Sequence, residues 1–180
     1  MASRSELISL LTAYQPSDAA EEQYRQAMLD RAAGAHDPFD RKDFEPGHFT
    51  ASAFVVHPGG RSVLLVHHAR LGIWVQPGGH IDPADATPLA AAAREVNEET
   101  GIGSLRPIDS GLVDVDVHTV PASMSQPQHL HYDLRFALVA ADPRLVGNAE
   151  VIAAAWVEPG DLAALGVDAS VTRPVGKLFG

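Results

Sequence analysis

The run QPGGHIDPADATPLAAAAREVNEETGI, from Gln76 to Ile102, joins a glycine turn, an acidic loop and one short helix with a dense negative face. Thr87 and Pro88 fit N-cap and first-turn positions, because a threonine oxygen accepts an orphan N–H and proline has none to lose. Gly101 supplies the left-handed conformation that ends many helices. Between them, Leu89, Ala92, Ala93 and Val96 recur at i, i+3, i+4 and i+7, a stripe that buries. Glu95, Glu98 and Glu99 recur at i, i+3 and i+4 and fan out within roughly a 100° arc elsewhere on the helix.

Like charges at that spacing repel, by about 0.2–0.5 kcal/mol for an i,i+4 pair. They also lie towards the helix C-terminus, where the dipole disfavours anions. Either the glutamates are well solvated or a multivalent cation joins them. Hard cations such as Mg²⁺ and Mn²⁺ take oxygen ligands from carboxylates and phosphates. A carboxylate triad on a stiff helix beside Gly78-Gly79 therefore suits a metal–phosphate complex, since the glycines let a substrate approach the backbone closely.

Arg94-Glu95-Val96-Asn97-Glu98-Glu99-Thr100-Gly101-Ile102 resembles the second half of the Nudix box, G-x5-E-x7-R-E-U-x-E-E-x-G-U with U aliphatic, and Gly79 fits the opening glycine. Two departures stand out. Asp85 replaces the box's first glutamate, and eight residues rather than seven separate it from Arg94. We read this as one extra residue in the loop before Pro88, which leaves the helix register intact but puts the role of Asp85 in question, with Asp82 as the substitute.

The resemblance implies an α/β chain, a Nudix-like α/β/α sandwich with a mixed β-sheet, over residues 48–180, preceded by an N-terminal helical extension and connector at 1–47. It implies a hydrolase of phosphoric anhydrides that cleaves a pyrophosphate bond in a nucleoside diphosphate linked to another moiety, with Mg²⁺ or Mn²⁺ as cofactor. Glu95, Glu98, Glu99 and the Gly79 carbonyl are the implied metal ligands. Glu98 and Glu99 are the implied catalytic groups together with Arg94, which is expected to hold a box carboxylate for the metal rather than touch substrate. The alternative is a Nudix-fold sensor that binds a nucleotide derivative without cleaving it, although such a binder has little use for three costly like charges. The isoprenoid isomerase branch resembles itself in using a cysteine, and this chain has none.

At 180 residues with a 46% apolar fraction, the chain can bury a substantial core. Its formal charge of −10 argues against a nucleic-acid polymer as partner, which would need a basic footprint. No apolar run approaches the ~20 residues of a membrane span, and the N-terminus lacks a secretory pattern. The absence of cysteine removes disulfides, thiolate metal sites and cysteine nucleophiles. The expected partner is a small-molecule diphosphate, the expected compartment the cytoplasm, and a homodimer is one option that the resemblance leaves open.

Along the chain, Ser3 with Glu6 and Asp18 with Glu21 have capping-box spacing, so two helices broken at Pro16 are expected before Ala33. They read as a pair packed on the core, with a substrate lid or dimer arm as the other reading. Phe49–Val56 and Ser62–His68 are β-rich runs around His57-Pro58-Gly59-Gly60, a hairpin signal. Strands are expected at Ser110–Val120, Leu130–Ala141 and Val151–Val157, a short helix from Pro159, and nothing is legible after Gly166.

Further candidates for substrate binding are Arg70, whose guanidinium matches a phosphate, and His80 and Asp82 beside the glycines. His129, His131 and Asp133 alternate along one strand and share a face. They suit substrate contact or a metal, yet as plain polar strand positions they show no fourth ligand. Trp74 fits the core better than a base-stacking role, and Glu150 is a distant candidate base or ligand.

Overall fold

The computed structural model describes residues 1–69, 72–146 and 151–180. Two helices come first, α1 (Arg4–Ala13) and α2 (Ala19–Ala33). Ser3 and Asp18 cap them, their side chains accepting the backbone N–H of Glu6 and Glu21. Strands β1 (Gly47–Val56), β2 (Val63–His68), β3 (Trp74–Val75) and β4 (Gly78–His80) precede helix α3 (Pro88–Thr100). Then come β5 (Leu105–Val120), β6 (His129–Ala140) and β7 (Val151–Val157), a 3₁₀ helix (Pro159–Leu165) and α4 (Ala169–Phe179).

The strands form one mixed sheet in the order β3-β2-β1-β6-β5, with β4 on β1 and β7 on β2. β1 and β6 run parallel and the other pairs antiparallel. The expected hairpin forms, but its strands part quickly. β1 meets β2 at Val56 and Val63, then offers that edge to β4 from Thr50 to Ser52, while β2 runs beside β7.

β1 divides the molecule. On one side Phe49, Ala51, Ala53 and Val55 share a core with Ala91, Ala92 and Val96 of α3 and with Leu7, Leu11 and Met28 of the N-terminal helices. Those last three are fully buried, each contributing about 1.5–3 kcal/mol of apolar transfer, so α1 and α2 are part of the same hydrophobic core as the sheet. On the other side Phe54 packs with Val63, Leu65, Leu162, Val171 and Val175, under α4 and the 3₁₀ helix. His48, Thr50 and Ser52, on that same side by strand alternation, are buried and polar.

Two elements differ from expectation. β5 begins at Leu105 rather than near Ser110, because Asp109 (φ 49°) and Gly111 (φ 88°) adopt left-handed backbone that is absorbed as a bulge between Pro107 and Leu112. Asp-Ser-Gly looks like a chain reversal in sequence and is a kink within one long strand. The chain after Gly166, which looked empty, forms α4 despite Pro174. Proline cannot donate to the carbonyl four residues back. That carbonyl, Ser170 O, instead accepts the Arg135 guanidinium Nη1–H at 2.8 Å, so the helix continues without an orphaned group.

Candidate active site

Helix α3 starts as its caps dictate. Thr87 Oγ1 accepts the Ala90 N–H at 3.0 Å, and Gly101 ends the helix at φ 76°. Ala91, Ala92 and Val96 are buried, with Leu89 and Ala93 at the margin of the core, so the apolar stripe is centred slightly to one side of the sequence reading. The glutamates are graded in depth rather than equally exposed. Glu98 has a side chain 52% exposed, Glu95 one 13% exposed, and Glu99 is buried.

Arg94 gathers the acidic groups. Its Nε and Nη2 donate to the two carboxylate oxygens of Asp85 at 3.1 and 3.0 Å. Nη1 donates to Glu95 Oε1 at 2.9 Å and Glu98 Oε2 at 3.0 Å, and Nη2 also reaches the His80 carbonyl at 2.9 Å. Each donating nitrogen of the guanidinium is engaged, and its pKa is raised, first by the Asp85 bonds and then by the Glu95 charge. The Arg94 guanidinium therefore lines up the carboxylates of Asp85, Glu95 and Glu98.

The two departures from the box resolve together. Asp85 is buried, clasps Arg94 bidentately, accepts the Asp82 N–H at 2.8 Å and lends its carbonyl to the Ala2 N–H at 2.8 Å. Burial pushes its carboxyl up, but the Arg94 and Asp82 hydrogen bonds outweigh that and hold it below the usual range. Asp82 stays 46% exposed, with Arg94 Nη2 3.9 Å away, and does not take over this pairing.

Gly79 closes the site from below. It pairs with Ala51 across β1, and a Cβ there would meet the Glu95 carboxyl carbon and Oε1 at 2.6 Å. Only a residue without a side chain lets the β4 backbone and that carboxylate touch. Glu95 and Glu98 share Arg94 Nη1, and their carboxylates are hard oxygen donors of the kind that Mg²⁺ and Mn²⁺ take. A cavity of about 540 Å³, lined by Arg4, Phe39, Arg41, Ile81 and Asp82, meets this cluster at Asp82, which lies 3.9 Å from Arg94 Nη2.

The remaining candidates fall elsewhere. Arg70 and Glu150 lie outside the described residues. His80 pairs with Thr50, one position from Gly79, so its ring points to the sheet face away from α3. His131 pairs with His48 across β1 and β6, on that same face, and Asp133 follows two residues on. Asp133 is enclosed: Thr50 Oγ1, Ser52 Oγ and Arg135 Nε donate to it at 2.9, 2.7 and 3.0 Å. His129 is buried, its Nδ1–H donating to Pro127 O at 2.9 Å. Trp74 is half-buried, its ring 5.2 Å from that of His67.

Sequence reasoning missed His48 and the ion network around Arg135, which pairs with Asp114, Asp116 and Asp133 at 3.2, 2.9 and 3.0 Å. For the ion network a signal was present in the alternation of Asp114, Asp116 and His118 along β5, facing that of His131, Asp133 and Arg135 along β6.

Comparison with known proteins agrees with this geometry. The NUDIX domain family model matches residues 46–179. A Bacillus subtilis protein described as a putative 8-oxo-dGTP diphosphatase is 30% identical over 115 residues, covering 63% of this chain and 70% of the relative. The dihydroneopterin triphosphate pyrophosphohydrolase structure from E. coli superposes with a TM-score of 0.55 at 17% identity, covering 72% of this chain and 92% of that one. The ADP-ribose-bound NUDIX domain of NrtR from Shewanella oneidensis superposes at 0.56 and 17%, covering 79% and 91%. With the family match spanning the sheet, helix α3 and the Arg94 cluster, the chain belongs to the Nudix family of pyrophosphohydrolases.

Proposed function

We propose that this chain hydrolyses a pyrophosphate bond in a nucleoside diphosphate derivative using Mg²⁺ or Mn²⁺ held by Glu95, Glu98, Glu99 and the Gly79 carbonyl. The observation that carries the reading is the Arg94 clasp, which brings Glu95 and Glu98 to one guanidinium nitrogen beside a glycine that a Cβ would jam. A divalent ion there supplies charge neutralisation at the phosphate oxygens and a lowered pKa for attacking water. The chain's own contribution is positioning. Asp85 fixes Arg94, Arg94 fixes the near oxygens of Glu95 and Glu98, and helix α3 fixes all of them relative to Gly79.

Glu98, the most exposed of the triad, and Glu99, the most enclosed, divide two tasks between them. In this reading Glu98 accepts the proton of an incoming water, and Glu99 holds a ligand oxygen in a drier setting. The cavity at Phe39, Arg41 and Asp82 takes the organic moiety. A Nudix-fold sensor remains the second reading, favoured by the fold shared with an ADP-ribose-binding domain.

A panel of 8-oxo-dGTP, ordinary nucleoside triphosphates, nucleotide sugars and ADP-ribose, assayed with Mg²⁺ for phosphate and pyrophosphate release, separates the readings. 8-oxo-dGTP heads the panel because a relative is described as a putative 8-oxo-dGTP diphosphatase. Turnover that falls about 100-fold or more in Glu98→Gln supports hydrolysis at this site. Binding without product in the wild type leaves the sensor.

A further inference from the structure

A cluster of histidine rings lies on the sheet face away from the carboxylates. His48 on β1, His80 on β4 and His131 on β6 each bring one ring nitrogen to within 4.8 Å of the other two. Their ring centroids are 5.1 Å (His48–His80), 4.9 Å (His48–His131) and 5.6 Å (His80–His131) apart. β1 hydrogen-bonds to both other strands, so the backbones that carry the rings are locked in one sheet.

The hydrogen bonds fix where the lone pairs are. His48 Nδ1 faces the Asp43 carbonyl at 3.2 Å and can only donate to it. A neutral His48 then carries a bare lone pair on Nε2, and that atom is buried with no hydrogen-bond partner among the described residues. His129 Nδ1 likewise donates to the Pro127 carbonyl at 2.9 Å, so its Nε2 accepts from His131 Nε2–H at 3.3 Å. A neutral His131 is left with a lone pair on Nδ1. Rings whose second nitrogen donates to a carbonyl or a neighbouring imidazole are oriented as metal-ligating histidines usually are.

The electrostatics keep these lone pairs available. Burial, reinforced by the His48 charge, depresses His131 to about 2. Burial also lowers His48, against the Asp43 carbonyl bond that raises it. His48 and His131 are therefore held as neutral bases, which a ligand must be. A buried acceptor with nothing to accept from carries a desolvation penalty, so a bound partner at His48 Nε2 removes a cost that the empty cluster bears.

We propose that His48, His80 and His131 form a second metal site, distinct from the helix carboxylates, for a borderline divalent ion of the Zn²⁺ or Co²⁺ kind. Imidazole suits such ions, whereas Mg²⁺ prefers the oxygen donors around Arg94. Two nitrogens on one tetrahedral ion lie about 3.4 Å apart, so closure asks for ring movements of roughly 1 Å from the present spacing. A three-histidine set leaves the fourth position for water or for a substrate group. The ion would tie β4 to β1 and β6, directly beneath the turn whose His80 carbonyl holds Arg94.

The test uses the full chain, stripped with a chelator and titrated with Co²⁺ alone, followed by visible absorption, and with Zn²⁺ in competition. The expected result is one tight equivalent giving ligand-field bands in the visible, displaced by Zn²⁺, with a rise in Tm. Binding is retained in the combined Glu95→Gln, Glu98→Gln variant and weakened about 100-fold or more in His131→Ala and in His80→Asn. The His80 variant covers the case in which the more enclosed His131 change fails to fold. Wild type that shows no bands and no Tm shift, histidine variants that bind as wild type does, or loss of the Co²⁺ signal in the glutamate variant overturns the second site. Magnesium-dependent turnover is scored separately, so failure here leaves the carboxylate assignment standing.

Discussion

Arg94 and Asp85 are joined by two parallel hydrogen bonds, Nε to Oδ1 at 3.1 Å and Nη2 to Oδ2 at 3.0 Å. This pair stands where the Nudix box has a glutamate, reached by a side chain one methylene shorter from a loop one residue longer. The compensation explains why Asp85→Asn is not conservative. It weakens one charge-assisted bond, exchanges an acceptor oxygen for a donor NH₂, and frees the guanidinium to swing away from Glu95 and Glu98. A loss of about 1.5–3 kcal/mol in stability is expected from denaturant unfolding, with kcat falling more than KM changes. Asp85→Glu, which overreaches in the lengthened loop, recovers less than wild-type stability.

The two glycines of β4 respond differently to alanine. At Gly79 a Cβ collides with the end of the Glu95 side chain, which can turn aside. Gly79→Ala is expected to fold, to need several-fold more Mg²⁺ for half-maximal rate, and to lose turnover. At Gly78 a Cβ meets Ser52 Cα at 2.6 Å and the Ala51 carbonyl at 2.9 Å, where backbone must give way. Gly78→Ala is expected to lower Tm sharply, and a magnesium titration beside a melt tells the two failures apart.

Arg135 is 2% exposed among Asp114, Asp116 and Asp133. Replacing it with Met strands these carboxylates on Arg173, Lys177 and His118 and costs about 3–5 kcal/mol, the range for breaking a buried pair from one side. It also frees the Ser170 carbonyl opposite Pro174, so α4 is expected to fray first. Amide exchange along residues 169–179 reads that directly.

Acid sensitivity has an identifiable source in Glu21. Burial pushes its carboxyl up, but hydrogen bonds from Lys177, Ser17 N–H, Tyr14 and the Ser17 hydroxyl overcome this and bring it down from 4.5 to about 2. The ionised form therefore adds stability above pH 4.5, and that contribution is lost as pH falls from 4.5 to about 2. The slope from this group is at most about 1.4 kcal/mol per pH unit. Glu21→Gln is expected to be less stable at pH 7 and to show a shallower decline across that window, by chemical denaturation at each pH.

The sequence disclosed what local rules govern. The caps at Ser3, Asp18 and Thr87, the stop at Gly101 and the strand alternation each follow from a few neighbouring residues. The box helix was legible because its charges are locally implausible without a partner. What it hid depends on pairings between distant segments. Asp109 and Gly111 look like a turn until β6 shows the ladder continuing past them. Pro174 looks like a helix breaker until Arg135, from another strand, satisfies the carbonyl it abandons. His48 gave no signal, since its meaning comes from β4 and β6 arriving on both sides of β1.

Tyr14, Glu21 of α2 and Lys177 of α4 converge over the Val113 carbonyl, with Lys177 also bonded to Asp114 at 3.0 Å. Helices from opposite ends of the polypeptide thus fasten to one another through the same stretch of β5. Neither can peel off alone without stripping a counter-ion from a buried carboxylate. Melting should accordingly proceed as one all-or-none event, in which the leading helical pair and the trailing helix surrender together with the sheet.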